Sequence, residues 1–130
     1  NHMEKPLRFI QTWIVPRSRG LEPNYGSYNA SKDCDAKKNG LQYLASDVSN
    51  SSAETPVKVN QDLDCHAAEI ELGKSVTVDL PKGRQAYLLC IEGTLEVNRK
   101  QLTKHDACEI YGDGGALDIK ATGVEDTENG

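Results

Sequence analysis

No apolar run in these 130 residues approaches the roughly 18 residues of a membrane-spanning helix, and the opening Asn1-His2-Met3-Glu4-Lys5 is no signal peptide. Positive charge is also short: 15 Lys and Arg stand against 20 Asp and Glu, a formal net charge of −5. That balance excludes a broad electrostatic footprint for nucleic acid. With no polybasic run and no basic amphipathic helix, a membrane-surface site is excluded as well. A soluble chain is expected, cytoplasmic or, in a eukaryote, nuclear.

Close cysteine pairs are missing too. Cys34, Cys65, Cys90 and Cys108 are at least eighteen residues apart, whereas zinc sites usually show C-x2-C pairs. Cys90 and Cys108 lie in apolar runs, where a free thiol acts as a small hydrophobe. No Ser, His and Asp fall in a nucleophile elbow. Gly112-Asp113-Gly114-Gly115 joins two strand candidates without a helix behind it, so it is not a phosphate loop. No stretch has a helical period.

Short β segments are what the chain does have. Val57–Asp62, Ala67–Leu72, Ser75–Leu80, Ala86–Ile91, Thr94–Asn98, Ala107–Tyr111 and Ala116–Ala121 are strand candidates, separated by turns rich in Gly, Pro, Asn and Lys. Val76, Val78 and Leu80 alternate with Thr77 and Asp79, and Leu95 and Val97 face inward. The nearly continuous run Ala86–Ile91 reads as a central strand, with Tyr87 in the core. His105 falls in a tight turn, where His tolerates positive φ better than most residues. Upstream, Leu7–Val15 is apolar on both alternating sets (Leu7, Phe9, Trp13 and Val15; Ile10 and Ile14), as in a strand covered on both faces. Residues 16–40 read as a long loop, Leu41–Ala45 as a short strand and Ser46–Thr55 as a mobile polar turn. An antiparallel all-β sandwich or barrel is predicted.

Two stretches go further. Gln11, Trp13, Ile14, Pro16, Gly20, Pro23 and Tyr25, seven constrained positions in fifteen residues, resemble the inter-domain segment of pirin-like proteins. Residues 84–110, with Glu92-Gly93, Leu95-Glu96-Val97, Leu102 and Asp106-Ala107, are similar to a cupin hairpin. The resemblance covers about residues 4–122. It implies an all-β, cupin-type double-stranded antiparallel barrel (a jelly roll), incomplete at both ends. It divides the chain into an inter-domain strand and wrapping loop (1–26), a polar loop with a short strand (27–56), a degenerate barrel (57–122) and an acidic tail (123–130).

Pirin-like proteins pair two cupin barrels. The resemblance implies that the N-terminal one, which this chain lacks, carries iron or a similar divalent metal; in several members it opens quercetin oxidatively, and others serve as nuclear transcription cofactors. A cupin metal site needs a His-x-His pair, a carboxylate four residues on and a third His, so that the donors converge. Counted back from Gly93, those positions fall on Asp79, Pro81 and Gln85. Proline has no donor atom and Gln is a poor ligand, while His2, His66 and His105 are scattered, so no cofactor is expected here. The leading expectation is a non-catalytic C-terminal module that braces a metal-bearing barrel. Phe9 and Trp13 would pack there, Arg17, Arg19 and Tyr25 would line or rim the interface, and Gln11 is a further interface candidate; the arginines would grip a neighbouring domain's carboxylate or else stay solvated. The alternatives are part of a flavonol 2,3-dioxygenase, or a stand-alone small-ligand or protein-binding barrel using His66, Gln85 and Tyr87. With its first strand uncovered, the chain is expected to form a homodimer through residues 7–16.

Overall fold

A computed structural model describes residues 5–30 and 35–123, so Cys34, His2 and the acidic tail from 124 onward lie outside the described residues. Every regular element among them is a strand: β1 (Gln42–Asp47), β2 (Val57–Val59), β3 (Cys65–Ala67), β4 (Ser75–Leu80), β5 (Ala86–Leu89), β6 (Thr94–Val97), β7 (Lys100–Leu102), β8 (Ala107–Ile110) and β9 (Gly115–Gly123). The chain divides into two compact units, one of residues 1–28 and 43–65, the other of 29–42 and 66–130.

The second unit carries the apolar core. A four-stranded antiparallel sheet has the order β4-β9-β6-β7, and β5 and β8 form a separate antiparallel pair. Period-two alternation decides which side chains go inside. Along β9, Leu117, Ile119 and Ala121 are buried while Ala116, Asp118, Lys120 and Thr122 are exposed. Val76 of β4 sits opposite Ile119. Both join Cys90, Val97 and Leu102 in one cluster, with Leu41, Ile70, Val78, Leu88, Leu95 and Cys108 packed around it. The turns supply the backbone freedom this needs. Asn98 (φ 44°) and Arg99 (φ 71°) both hold positive φ in the two-residue hairpin joining β6 to β7. His105 turns at φ 70°. Gly114, at φ 84°, passes so near β4 that a Cβ there would lie 2.7 Å from the Leu80 carbonyl oxygen.

The first unit is built from polar ties. β1 and β2 run parallel, pairing Ala45 with Val57, Ser46 with Lys58 and Asp47 with Val59. Ser46 is fully buried and Asp47 nearly so. The Lys58 Nζ donates to Ser46 Oγ (2.9 Å) and to the carbonyls of Asn50 (3.1 Å) and Ala53 (2.6 Å), which closes the connection between the two strands.

Several expectations need correction. Leu7–Val15 joins no ladder: Leu7, Phe9, Ile10, Trp13 and Val15 are strongly exposed, because apolar composition alone does not supply a strand partner. Ser46–Thr55 is not a loose polar turn, since it opens on the buried Ser46 and Asp47 and is tied down by Lys58. β5 is not central but half of a two-stranded pair, and its apolar run splits, Leu88 and Cys90 turning in while Tyr87, Leu89 and Ile91 face out. The β1–β2 pair is parallel, and β7 was hidden because Lys100-Gln101-Leu102 offers one apolar residue in three.

Candidate functional site

Arg17 is the best-defined polar centre near the N-terminus. Its guanidinium pairs with the Asp47 carboxylate, which also accepts the Ser49 N–H at 2.9 Å. These bonds, the one from Arg17 first, pull the Asp47 pKa down to about 2. Arg17 N–H donates to the Asn60 carbonyl (2.9 Å), the Asn60 side-chain amide donates to the Glu22 carbonyl (3.2 Å), and Gln61 Nε2 donates to the Val15 carbonyl (3.0 Å). Gly26 passes close to Pro56, where a Cβ would run into the Pro56 carbonyl. Residues 15–26 are therefore fastened along β1 and β2 at several points.

Residues 7–14 precede this root as an arm that belongs to no helix or strand. Trp13 is 87% exposed and Phe9 and Ile10 are also open, as is Tyr25 at 92%. Gln11 and Arg19 are exposed. Arg17 is paired with Asp47 of its own unit. Asp47, Lys58, Asn60 and Gln61 were missed in the sequence. Their only signal was the density of polar residues over 46–62, which composition reads as solvent-facing.

Strand parity turns the expected metal positions away from the core. Val76 and Val78 of β4 pack into the core, so Asp79 points the other way and is exposed, as are Pro81 and Gln85. These residues do not converge on the interior, and Pro81 has no donor, so the cupin ligand set does not fit them. His66 and His105 are exposed as well. Among the described residues no three His, Cys, Asp or Glu side chains are grouped to hold a metal ion. Tyr87 is 71% exposed on the outer face of the β5–β8 pair, not in the core. Cys90 Sγ is buried against the carbonyls of Glu92 and Gly93 (3.5 Å each), and burial pushes the Cys108 thiol up from its ordinary pKa. A shallow polar depression on the outer side of β6 and β9 is lined by Glu96, Asn98, Arg99, Asp118 and Lys120, with Glu96 and Lys120 directly opposite each other. No helix among the described residues is long and apolar enough to cross a membrane.

Comparison with known proteins gives this arrangement a family. Residues 48–128 match the quercetinase C-terminal cupin domain. A Pseudomonas aeruginosa protein described as a candidate quercetin 2,3-dioxygenase is 29% identical over 123 residues, which is 93% of this chain and 49% of that protein. A pirin-like protein of Caulobacter vibrioides is 31% identical over 121 residues, again 93% of this chain and 49% of the relative. No solved structure matches. The chain thus spans about half the length of the curated relatives it matches, and with its all-β, largely antiparallel architecture it belongs to the pirin-like, quercetinase C-terminal cupin family.

Proposed function

We propose that this chain is a non-catalytic cupin module whose N-terminal arm docks it against a metal-bearing cupin barrel. The observation that carries the reading is the contrast at residues 7–25. The root, Val15–Gly26, is tied to β1 and β2 by Arg17, Asn60 and Gln61, whereas Phe9, Ile10, Trp13 and Tyr25 offer their rings and chains to solvent. Large aromatic side chains on a positioned segment are the usual anchors of an interface, since they bury much area at little entropic cost. The donor set supports the same reading: Asp79, Pro81 and Gln85 are outward-facing positions that do not assemble a ligand sphere.

The description of the Pseudomonas relative supports a flavonol dioxygenase as the whole protein to which such a module belongs. In that setting the metal-dependent oxidation takes place on the partner barrel, and this chain contributes packing and orientation. Equilibrating the isolated chain with iron(II), manganese(II), nickel(II) or zinc(II), removing free metal and assaying quercetin consumption tests this. No stoichiometric metal and no turnover is the expected result. Quercetin turnover, or one tightly held metal per chain, would overturn it.

A further inference from the structure

We infer that the outer face of the β5–β8 pair docks an arginine side chain presented by a protein partner, with Tyr87, Glu109 and Tyr111 as its receptor. This surface shares no residue with the arm.

Strand register builds the receptor. Tyr87 lies directly opposite Glu109, and Leu89 opposite Ala107. Cys90 N–H donates to the Asp106 carbonyl, so the even-numbered residues of β5 make the hydrogen bonds to β8. Tyr87 and Glu109 are therefore a non-hydrogen-bonded pair, in which facing side chains stand closest, with Cβ atoms about 4.5–5.5 Å apart. Leu88 and Cys108 pack against the apolar cluster, so Tyr87, Leu89, Ala107 and Glu109 share the opposite face. Ile91 and Tyr111 follow two positions along on the two strands and are also exposed. Two phenol rings and one carboxylate thus sit on a face whose other members are apolar.

The chemistry of these groups selects the occupant. Single exposed apolar residues are ordinary, but Tyr87, Leu89, Ile91 and Tyr111 share one small face, and such patches mark protein contacts. Glu109 is the only charged residue in 86–91 and 107–111. Among the described residues no Lys, Arg or His forms an ion pair with it. A carboxylate removed from water is costly unless a cation meets it, so a partner that covers this face must bring one. The ring faces of tyrosine attract the same sign of charge. Arginine satisfies both at once, because its planar guanidinium stacks on a ring while its N–H edge donates to a carboxylate. A lysine ammonium is a strongly hydrated point charge and does not stack. A second copy of this chain laid face to face brings no cation, since the face holds none.

Titrating the chain with the capped tripeptide acetyl-Leu-Arg-Leu-amide, followed by amide chemical shifts in NMR, tests the assignment. The expected result is saturable shifts centred on Tyr87, Leu89, Glu109 and Tyr111. The citrulline counterpart keeps the shape of the guanidinium and loses its charge. It should bind ~3–30-fold more weakly, the combined effect of one exposed ion pair and one exposed cation–π contact. Glu109→Gln and Tyr87→Leu should each weaken binding of the arginine peptide by ~2-fold or more. Both replace exposed side chains, so the melting temperature should move little. The absence of saturable shifts at these residues overturns the proposal. So does a citrulline or lysine peptide that binds as tightly, or a Glu109→Gln variant that binds the arginine peptide as well as the wild type.

Discussion

The unit built on β4, β6 and β9 and the unit built on β1 and β2 keep their strands together by different chemistry. In the former, Val76, Val97, Leu102 and Ile119 come from four strands and meet with Cys90 in one apolar cluster. In the latter, the fully buried side chain is Ser46, and Lys58, Asp47, Asn60 and Gln61 tie the chain through hydrogen bonds. Apolar burial is non-directional and tolerates repacking, whereas buried polar groups are costly once a partner is removed. Apolar packing therefore holds the second unit, and hydrogen bonds hold the first together with the root of its arm.

Substitutions sharpen this contrast. Ile119→Ala removes a buried side chain facing Val76 and should cost ~2–5 kcal/mol in urea unfolding, the largest effect here. A cost under ~1 kcal/mol would mean that this cluster is not the core. Lys58→Met takes the ammonium donor from the Ala53 carbonyl, from Ser46 Oγ and from the Asn50 carbonyl, which keeps only the Ala53 N–H, and should cost ~1–3 kcal/mol. If the first unit is held by apolar packing instead, that variant will be neutral or stabilising.

Asp47 makes the polar unit sensitive to acid. Its folded pKa, about 2, lies below the ordinary 3.8, so its bond to Arg17 stabilises the fold above pH 3.8. That contribution is lost as pH falls from 3.8 toward about 2. Unfolding followed over this window should show a slope that Asp47→Asn reduces; equal slopes in the two proteins would show that the ion pair does not contribute. Smallest of all, Trp13→Ala should change the stability of the dilute chain by no more than ~0.5 kcal/mol, because its indole is 87% exposed.

Legibility in the sequence follows the same division. β4 is read to the residue, because Val76, Val78 and Leu80 alternate cleanly with polar neighbours, and Leu95 and Val97 do face inward. His105 at positive φ and the Gly112–Gly115 connection were also readable, since turn chemistry is local. The failures lie where partners are distant in sequence. Leu7–Val15 has strand composition, but pairing depends on a neighbour that composition does not reveal. Ser46 and Asp47 read as solvent-facing because nothing local shows that Lys58 and Arg17 reach them. A continuous apolar run places Tyr87 in the core, and only the two-stranded pairing of β5 with β8 shows which half of that run turns inward.

Trp13 is the only tryptophan, so its fluorescence reports on the arm alone. Acrylamide quenching of the dilute chain, compared with and without urea, tests most directly the claim that residues 7–14 form an exposed arm. The predicted result is a red-shifted emission quenched almost equally in both conditions, while circular dichroism shows that the strands are intact before urea is added. A blue-shifted Trp13 protected from quencher in the dilute folded chain and released by urea would contradict it, because the arm would then be buried.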